Sequence, residues 1–486
     1  MRSQIKIFSQ YVKDYMAPPL VVLQADAKVS DLVDRMAHSA ASSALIVTHD
    51  HRLNGIVTGS DVIKRVALRC EADTPVTAVM SSPVRSVRGS DHLFHALRRM
   101  HQYNLDKLPV VDSARRPIGI IRLSDVLSAT VEPILSYGST DGDEEGTGGL
   151  KRIKESQVDL ADQLLRDGMP ATEVQLLLSQ INRYIHKEVL ETSLAKMEDG
   201  GWGHPPVPFA AIIMGSGGRS ESFLNPDQDN GFILGDYADD RHGRIDPYFI
   251  ELAEQVTLDL DEIGFPLCDG YIMATNAGWR KTLPQWQEQL AYWRRKPSLI
   301  IIRQADIFFD FQAFYGEDTL SRDLRRYVAN FGKASPAFLK EMHVEESSQL
   351  GVALDLFGRL RDEKHDPEHE GELNLKYSGT IPLTQSVRLL ALREGIEETS
   401  TLARLDHLNS LGSVDKSEMQ RLRDAYSRIA ALLLRQQIRD IRDERKPSYY
   451  IPIKSLSQWE RQTLAESLKS IAEFRKRVDE ELTGVV

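Results

Sequence analysis

The stretch FAAIIMGSGGRSESFLNPDQDNGFIL, residues 209–234, joins an apolar run to a glycine- and serine-rich turn and then to a second apolar run. Residues 209–214 have the length and composition of one buried strand. The glycine-rich segment that follows is typical of a tight turn into a short helix. The second run begins with Asp227 and Asp229. We therefore predict a strand, a turn with a short helix, and a second strand that opens with two aspartates, which is an α/β arrangement.

The two aspartates of this stretch are separated by one residue. Successive side chains of a strand point to opposite faces, so Asp227 and Asp229 should point to the same face. Two carboxylates held this close repel each other unless a cation lies between them. Carboxylate oxygens suit Mg²⁺ or Mn²⁺ better than zinc. The spacing therefore predicts a site for one of these divalent cations.

The glycine-rich turn supplies the second half of a polyphosphate site. Its backbone N–H groups are free to face an anion at the start of the short helix, and Ser216 adds a hydroxyl group. Together with the two aspartates, this turn favours a site for a metal-bound polyphosphate. The alternative is a glycine turn followed by an acidic strand end that is simply solvated.

The order of these residues resembles the nucleotidyltransferase fold of the DNA polymerase beta superfamily. It is more similar to the bacterial nucleotidyltransferase family described as domain of unknown function 294, which is related to the nucleotidyltransferase domain of PII-protein uridylyltransferases. That family reads close to G-S-E-G-R-x-E-Q-T-L-x-T-D-Q-D-N, and this chain reads GSGGRSESFLNPDQDN. The departures are Gly217, Ser222 and Pro226, and they bear on substrate preference more than on catalysis.

The resemblance implies a role for each matched residue. Asp227 and Asp229 would hold two metal ions. Gly215 and Ser216 would cradle the β- and γ-phosphates of a nucleoside triphosphate. Arg219 would neutralise phosphate charge or position the helix. The acceptor would attack the α-phosphorus, and pyrophosphate would leave.

The superfamily needs a third carboxylate on a nearby strand, and two aspartates are candidates. Asp269 lies in FPLCDGYIMA, and Asp310 lies in IFFDFQAFYG. An unpaired carboxylate in the middle of an aromatic strand would be costly, and a bound cation would offset that cost. We therefore favour Asp310 over Asp269 as the residue that completes the metal site and helps to deprotonate the acceptor hydroxyl.

The first 135 residues contain an internal repeat with an offset of 64 residues. GIVTGSD at residues 55–61 falls on GIIRLSD at residues 119–125, and Met16 falls on Met80. Two apolar stripes with helical spacing also coincide. The first stripe is Val29, Leu32, Val33 and Met36, and the second is Leu93, Ala96, Leu97 and Met100. Each repeat therefore predicts a helix, a strand, a turn, a second strand and a second helix.

This repeat resembles a tandem pair of CBS domains, a Bateman module. Such pairs bind adenine nucleotides, and the resemblance implies that Asp61 binds the ribose hydroxyls and Thr58 contacts a phosphate. In the second repeat Arg122 replaces the threonine and Asp125 is retained. Arginine could still hold a phosphate through two N–H groups. The alternative is that Asp61 and Asp125 only support the N-termini of the helices that follow them.

The chain divides into five predicted segments. They are a tandem CBS pair at residues 10–135 (about 10–68 and 74–132), a flexible linker rich in glycine, serine and acidic residues at 136–149, a helical bridge at 150–200, a nucleotidyltransferase domain at 201–345 and a C-terminal helical domain at 346–486. The predicted fold class is multidomain α/β, with a CBS pair, a polymerase-beta-like nucleotidyltransferase α/β domain and a C-terminal helical bundle. Lys376 and Arg388 of the last domain could reach a triphosphate, or they could be solvated surface charges.

The composition of the 486-residue chain limits its partners. With 71 acidic and 60 basic residues the net charge is −11, which argues against an extended nucleic-acid surface. The two cysteines are far apart in sequence, so they predict neither a disulfide framework nor a C-x-x-C metal site. No apolar stretch is long enough to span a bilayer, and the N-terminus has no secretory signal. We therefore expect a cytoplasmic protein with no membrane span.

Together these features predict a nucleotidyltransferase that depends on Mg²⁺ or Mn²⁺ and is similar to PII-protein uridylyltransferase. It would transfer a nucleoside monophosphate from an NTP to a protein or small-molecule acceptor, with a signalling protein as the first expectation. An adenine nucleotide on the CBS pair would regulate the transfer, and the CBS pair would form a homodimer. The alternative is a non-catalytic nucleotide sensor that acts in signal transduction through a partner protein.

Overall fold

The chain separates into two compact units, Met1–Gly142 and Asp143–Val486, and each is described by itself. The computed structural model describes residues 10–39, 41–66, 70–103, 105, 107–123, 125–126, 147–349, 351–355, 358–361 and 367–484. Within these residues, no helix combines the length and the apolar character needed to cross a bilayer.

The first unit contains two copies of one β-α-β-β arrangement. The first copy has β1 (Val22–Gln24), α1 (Val29–His38), β2 (Ser43–Val47) and β3 (Leu53–Thr58), and the second has β4 (Val87–Arg88), α2 (Leu93–Gln102), β5 (Lys107–Val111) and β6 (Pro117–Arg122). In each copy the first strand pairs parallel with the second, and the second pairs antiparallel with the third. A helical segment, Gly59–Asp61 and Val62–Val66, follows β3. This topology confirms the predicted tandem repeat.

The apolar stripes of α1 and α2 form the cores of the two copies. The buried members are Val29, Leu32 and Met36 in α1 and Leu93, Ala96, Leu97 and Met100 in α2. Val33 belongs to the predicted stripe but is 37% exposed. It follows Leu32 by one residue, which turns its side chain about 100° away from that of Leu32 around a helix with 3.6 residues per turn.

The repeated glycine of each copy lies against a repeated methionine. A Cβ atom at Gly55 would lie 2.3 Å from Sδ of Met80, and a Cβ atom at Gly119 would lie 2.6 Å from Sδ of Met16. Real Cβ atoms essentially never come within 3.0 Å of such an atom, so a side chain at either glycine would collide with the methionine. The match between Met16 and Met80 therefore reflects one packing contact made twice, each time against the glycine of the opposite copy.

The second unit begins with two long helices, α3 (Thr147–Arg166) and α4 (Ala171–Asp199). The bridge predicted at residues 150–200 is therefore helical. Most of the predicted linker at residues 136–149 lies outside the described residues. Its last three residues belong to α3, so the helix begins before the predicted boundary.

A four-stranded sheet follows the two helices. Its strands and the helices around them are β7 (Phe209–Ile213), α5 (Gly215–Gly218), β8 (Asn230–Leu234), α6 (His242–Ile263), β9 (Arg280–Thr282), α7 (Leu283–Arg295), α8 (Leu299–Phe308), β10 (Gln312–Gly316) and α9 (Asp318–Lys333). The strand order is β10-β7-β8-β9. β7 is antiparallel to both β8 and β10, and β8 is parallel to β9. The sheet therefore has the mixed α/β character that the sequence predicted.

The apolar segment that precedes Asp310 is helical and not a strand as predicted. Ser298 caps α8, because its hydroxyl accepts a hydrogen bond from the backbone N–H of Ile301. β10 begins only at Gln312, so Asp310 lies in the turn between α8 and β10. Periodicity alone does not separate a short apolar strand from a buried helix, and the aromatic residues favoured the strand.

Helices dominate the C-terminal part, as predicted. Its elements are α10 (Pro336–Gln349), β11 (Glu372–Asn374), α11 (Ile381–Glu394), α12 (Thr401–Ser410), α13 (Lys416–Arg442), β12 (Tyr450–Pro452) and α14 (Gln458–Thr483). β11 and β12 form an antiparallel pair, and a π-helical turn, Lys376–Thr380, joins β11 to α11. Helix α11 packs against α9, α12 and α14, which attaches the helical part to the helices of the sheet domain.

Candidate active site

The two predicted metal ligands lie side by side immediately before β8. The backbone N–H of Met214 donates to the carbonyl of Asp229 (2.8 Å), and that of Asn230 donates to the carbonyl of Ile272 (3.0 Å). These bonds fix the segment between the end of β7 and the loop before β9. Asp227 is exposed and Asp229 is half-buried. The aspartates precede the strand and do not open it, but the structure brings them together as predicted.

The chemistry of this pair fits a divalent cation. Oδ1 of Asp229 is buried and has no hydrogen-bond partner among the described residues. Burial and the neighbouring charge of Asp227 raise the pKa of Asp229 to about 7. Two crowded carboxylates, one of which has an unused oxygen, would be stabilised by a divalent cation bound between them.

The third potential ligand is Cys268 and not an aspartate. A ligand atom from each of Asp227, Asp229 and Cys268 lies within 4.8 Å of the other two. Among the described residues no third carboxylate joins this group. Asp269, one of the two predicted candidates, is exposed in a turn, whereas the preceding Cys268 is buried. Burial and the charge of Asp229 raise the pKa of the Cys268 thiol to about 12.

Gly215 lies directly against the aspartate pair. It has a φ of +55°, and a Cβ atom there would be 2.7 Å from Oδ2 of Asp229. A side chain at this position would therefore be strained and would collide with the carboxylate. Ser216 borders the same small cavity of about 10 Å³ as Asp227 and Asp229. The two residues predicted to bind phosphate thus lie beside the predicted metal ligands.

The position of Asp310 corrects the predicted third metal ligand. Asp310 is completely buried, and its carboxylate is bound by Arg219 (2.7 Å), Arg388 (2.6 Å) and Arg404 (2.6 Å). It does not belong to the group formed with Asp227. The buried carboxylate is paired with cations, and these cations are three guanidinium groups. Both oxygens of Asp310 are engaged by these guanidinium groups, so its contacts do not support the predicted roles as metal ligand and base.

Arg219 and Glu221 of the motif connect the sheet domain to the helical part. Arg219 donates from Nε to Glu221 (2.7 Å), and Glu221 accepts hydrogen bonds from the backbone N–H (2.7 Å) and the hydroxyl (3.1 Å) of Thr401. The hydroxyl of Thr399 donates to the carbonyl of Gly218 (2.8 Å). Of the two roles predicted for Arg219, its contacts fit positioning, because its guanidinium faces carboxylates and not the cavity.

The two C-terminal residues with open alternatives have different surroundings. Arg388 is only 2% exposed and pairs with Asp306 and Asp310, so it is neither a phosphate ligand nor a surface charge. Lys376 is half-buried, and its Nζ lies 4.3 Å from the centre of the Tyr449 ring. The positive charge of Lys376 opposes the upward shift in the pKa of Asp229. Lys376 therefore places a cation of the helical part near the aspartate pair.

In the first unit, the predicted nucleotide-binding residues cap helices. The backbone N–H and the hydroxyl of Thr58 both donate to Oδ2 of Asp61, at 2.9 Å and 2.7 Å. The backbone N–H of Arg122 donates to Oδ2 of Asp125 (2.9 Å). These contacts are the ones expected if the aspartates support helix N-termini, and the other oxygen of Asp61, Oδ1, lies 3.4 Å from Nε of Arg65.

The first unit also contains a cleft that sequence analysis missed. It has a volume of about 560 Å³ and lies between β4, α2 and the turn after β5. Its charged and aromatic lining includes Arg85, Arg88, Arg99, Arg115 and Tyr103. None of the four predicted nucleotide-binding residues is among the described residues that line it. The sequence does not reveal this cleft, because its arginines come from three separate segments without a shared motif.

Comparison with protein families covers most of the chain. A family model described as "Putative nucleotidyltransferase DUF294" matches residues 155–299, and one described as "Putative nucleotidyltransferase substrate binding domain" matches residues 336–482. The CBS domain model matches residues 12–68 and 76–132. The matches agree with the domain composition inferred from the sequence motifs.

Matches to individual curated proteins cover a much smaller part of the chain than the family models do. A homoserine O-acetyltransferase of Methanosalsum zhilinae is 29% identical over 115 residues, which are 24% of this chain and 23% of the relative. A protein of Methanocaldococcus jannaschii described as uncharacterized is 30% identical over 109 residues, 22% of this chain and 26% of the relative. The chain thus spans about a quarter of the length of these curated relatives.

Solved structures show a similarly limited match. A crystal structure of CBSX2 in complex with AMP is 23% identical, with a TM-score of 0.22, and covers 25% of this chain and 97% of that one. The cytosolic domain of the Mg²⁺ channel MgtE in complex with ATP is 25% identical, with a TM-score of 0.23, and covers 25% of this chain and 48% of that one.

Proposed function

We propose that this chain transfers a nucleoside monophosphate from an NTP to an acceptor. The chain belongs to the DUF294 nucleotidyltransferase family, and it joins the nucleotidyltransferase domain and its substrate-binding domain to a CBS pair. The observation that carries the proposal is the crowded pair Asp227 and Asp229, with one buried and unpartnered carboxylate oxygen, beside the turn at Gly215 and Ser216. A triphosphate with its divalent cation has the charge that such a pair and turn would bind.

The residues of the site have distinct roles in this proposal. Asp227 and Asp229 would hold Mg²⁺ or Mn²⁺, which would supply charge neutralisation at the phosphates. Ser216 and the backbone of Gly215 would bind phosphate oxygens, and Lys376 would add a positive charge from the helical part. The acceptor oxygen would form the new bond to the α-phosphorus, its proton would pass to water, and pyrophosphate would leave with the electrons of the broken P–O bond.

The direct test measures pyrophosphate release by the purified full chain. The protein would be incubated with each of the four ribonucleoside triphosphates, with Mg²⁺ or Mn²⁺, in the presence and absence of cell extract as the source of acceptor. We expect release with at least one NTP, and a label on the α-phosphate should move to an acceptor from the extract. The matched control is Asp227→Asn under the same conditions. Equal release by wild type and control would contradict the proposal.

A second candidate function is a non-catalytic nucleotide sensor that acts through a partner protein. One observation favours it: among the described residues a cysteine stands with the two aspartates where a third carboxylate would be expected. The same assay separates the two functions. A sensor would bind NTP with a divalent cation but would release no pyrophosphate with any acceptor source.

Lys376→Ala is expected to raise the KM for the NTP by about tenfold, the effect of roughly one charge-assisted hydrogen bond to phosphate. The physical reason is the loss of the Lys376 ammonium group, whose charge acts on Asp229. Steady-state kinetics of pyrophosphate release measure the effect. Lys454→Ala, which removes an exposed lysine of the same part of the chain, is the matched control. An unchanged KM in Lys376→Ala would show that Lys376 has only a structural role, through its cation–π contact with Tyr449.

Regulation by an adenine nucleotide on the CBS pair remains part of the proposal, as do a signalling-protein or small-molecule acceptor and a homodimer formed through that pair. Asp61→Ala is expected to weaken AMP binding by about 10–150-fold, the range for a hydrogen bond to a charged group. AMP is chosen because it has no pyrophosphate to lose. Calorimetric titration of the full chain measures the affinity, and Asp61→Asn keeps an oxygen that can accept the helix-capping hydrogen bonds.

A variant in the arginine-lined cleft, Arg88→Ala, serves as the comparison for Asp61→Ala in this titration. Arg88 is exposed and lines the cleft, whereas Asp61 is not among the lining residues. If Arg88→Ala weakens AMP binding while Asp61→Ala does not, the nucleotide occupies the cleft and the predicted Asp61 site is wrong. If the wild-type chain produces no heat with AMP, ADP or ATP, nucleotide regulation through this unit is excluded.

A further inference from the structure

Cys268 occupies a fixed position opposite the aspartate pair. It lies in the loop between α6 and β9 and is 6% exposed. Its Sγ atom lies within 4.8 Å of ligand oxygens of Asp227 and Asp229. A sulfur atom at this distance can enter the coordination sphere of an ion held by the two carboxylates with small side-chain movements.

The loop that carries Cys268 is joined to the aspartate segment by several hydrogen bonds. The backbone N–H of Gln228 donates to the carbonyl of Pro266 (3.0 Å), and its side-chain amide donates to the carbonyl of Phe265 (2.8 Å). On the other side of the cysteine, the side-chain oxygen of Asn230 accepts from the backbone N–H of Ala274 (2.9 Å). These bonds flank Cys268 on both sides, so the thiol is held in register with the carboxylates.

From this geometry we propose that Cys268 is the third protein ligand of the metal site and gives it a preference for thiophilic divalent cations such as Co²⁺ and Zn²⁺ over Mg²⁺. The inference rests on the proposed function, because it assumes that Asp227 and Asp229 hold a cation. Sulfur ligands select softer transition metals, whereas Mg²⁺ is bound almost entirely by oxygen. On coordination the metal–sulfur bond forms, the S–H bond breaks and the proton passes to water.

The alternative is that Cys268 fills space and donates a hydrogen bond from its thiol to the Asp229 carboxylate. Its neighbours in the core include Met214, Ile233 and Ile272, and a cysteine behaves well as a small apolar side chain. The two interpretations differ in what a cysteine-to-serine change does. A space-filling thiol affects stability and leaves the metal preference alone, while a ligand thiol changes the metal preference.

The test is a Co²⁺ titration of the full-length chain followed by absorbance. A thiolate bound to Co²⁺ produces a charge-transfer band in the near ultraviolet, and carboxylate ligands do not. The chain has only two cysteines, so Cys70→Ser is a complete control. We expect the band in the wild type and in Cys70→Ser and no band in Cys268→Ser. Co²⁺ affinity should fall by at least about tenfold in Cys268→Ser, while the affinity for Mg²⁺, measured by competition, should not change.

The outcomes separate this inference from the proposed function. If the wild type binds Co²⁺ without the band, and Asp229→Asn abolishes binding, the aspartates hold the metal alone and the ligand role of Cys268 is wrong. If neither Co²⁺ nor Mg²⁺ binds the wild type, the metal site of the proposed function fails with it. If Cys268→Ser does not fold, the band in Cys70→Ser decides, because Cys268 is then the only thiol in the chain.

Discussion

Asp310→Asn is expected to destabilise the second unit by about 3–5 kcal/mol, the usual cost of removing one partner from a buried ion pair. Asp310 is the counter-charge of Arg219, Arg388 and Arg404, and the last two are only 2% and 1% exposed. Asparagine can still accept a hydrogen bond, but it carries no charge. The substitution therefore leaves buried guanidinium groups with too little negative charge near them.

Tryptophan fluorescence during urea unfolding measures this effect in the second unit alone. The five tryptophans of the chain, Trp202, Trp279, Trp286, Trp293 and Trp459, all lie in that unit. Asp269→Asn is the matched control, because Asp269 is exposed and its substitution should change stability by no more than about 0.5 kcal/mol. Equal unfolding midpoints for the two variants would show that the arginines do not depend on Asp310.

The same variant tests the correction of the metal site. Because the Asp310 carboxylate belongs to the arginine cluster, the folded fraction of Asp310→Asn should bind a divalent cation with wild-type affinity. Calorimetric titration at a temperature where the variant is folded measures this. Loss of metal binding with the fold intact would restore Asp310 as the third ligand, as the sequence first predicted.

The features that the sequence predicted well are local. The tandem repeat depends on periodic apolar residues and on a glycine in each copy, and both are visible in a short window. The approach of Asp227 to Asp229 follows from their spacing of two residues. In these cases the residues that interact, or the pattern that places them, lie close together in the chain.

The features that the sequence did not predict depend on distant residues. Asp310 is bound by arginines 78 and 94 positions later, and no motif connects them. Burial of a carboxylate required positive charge, but only the packing of α11 and α12 on the sheet domain shows that arginines supply it. Cys268 carries no motif of its own, because metal-binding cysteines usually occur in closely spaced pairs, and the neighbouring Asp269 is the residue type expected at such a site. The available signal for Cys268 as a candidate ligand was a single cysteine, a residue type that is usually buried, directly before an aspartate.

Asp229→Asn is expected to lower the rate of nucleotidyl transfer by about 10³-fold or more, since loss of a metal ligand removes several kcal/mol of charge stabilisation. Asparagine at this position would keep the shape of the side chain and lose the charge that a cation needs. Asp227→Asn should act in the same direction. Pyrophosphate release measures the rate, and equilibrium dialysis with Mn²⁺ measures the metal affinity. Wild-type rates in both variants would contradict a role for the pair in catalysis.

The stability of Asp229→Asn should change in the opposite sense to its activity. The pKa of Asp229 is raised to about 7 by burial and by Asp227, compared with about 3.9 in an unfolded chain. A raised carboxyl pKa contributes stability that is fully present below the unfolded pKa and is lost as the pH rises through the folded pKa. The metal-free wild type should therefore lose stability between about pH 4 and pH 7, and Asp229→Asn should lose less over that interval.

Added Mn²⁺ should stabilise the wild type at pH 7 and leave Asp229→Asn nearly unchanged, because a cation stabilises only the folded state that binds it. The midpoints of urea unfolding of both proteins at pH 5 and pH 7.5, with and without Mn²⁺, measure the difference. If the two proteins showed the same pH dependence, the crowding of Asp227 and Asp229 would not lower the free energy of unfolding.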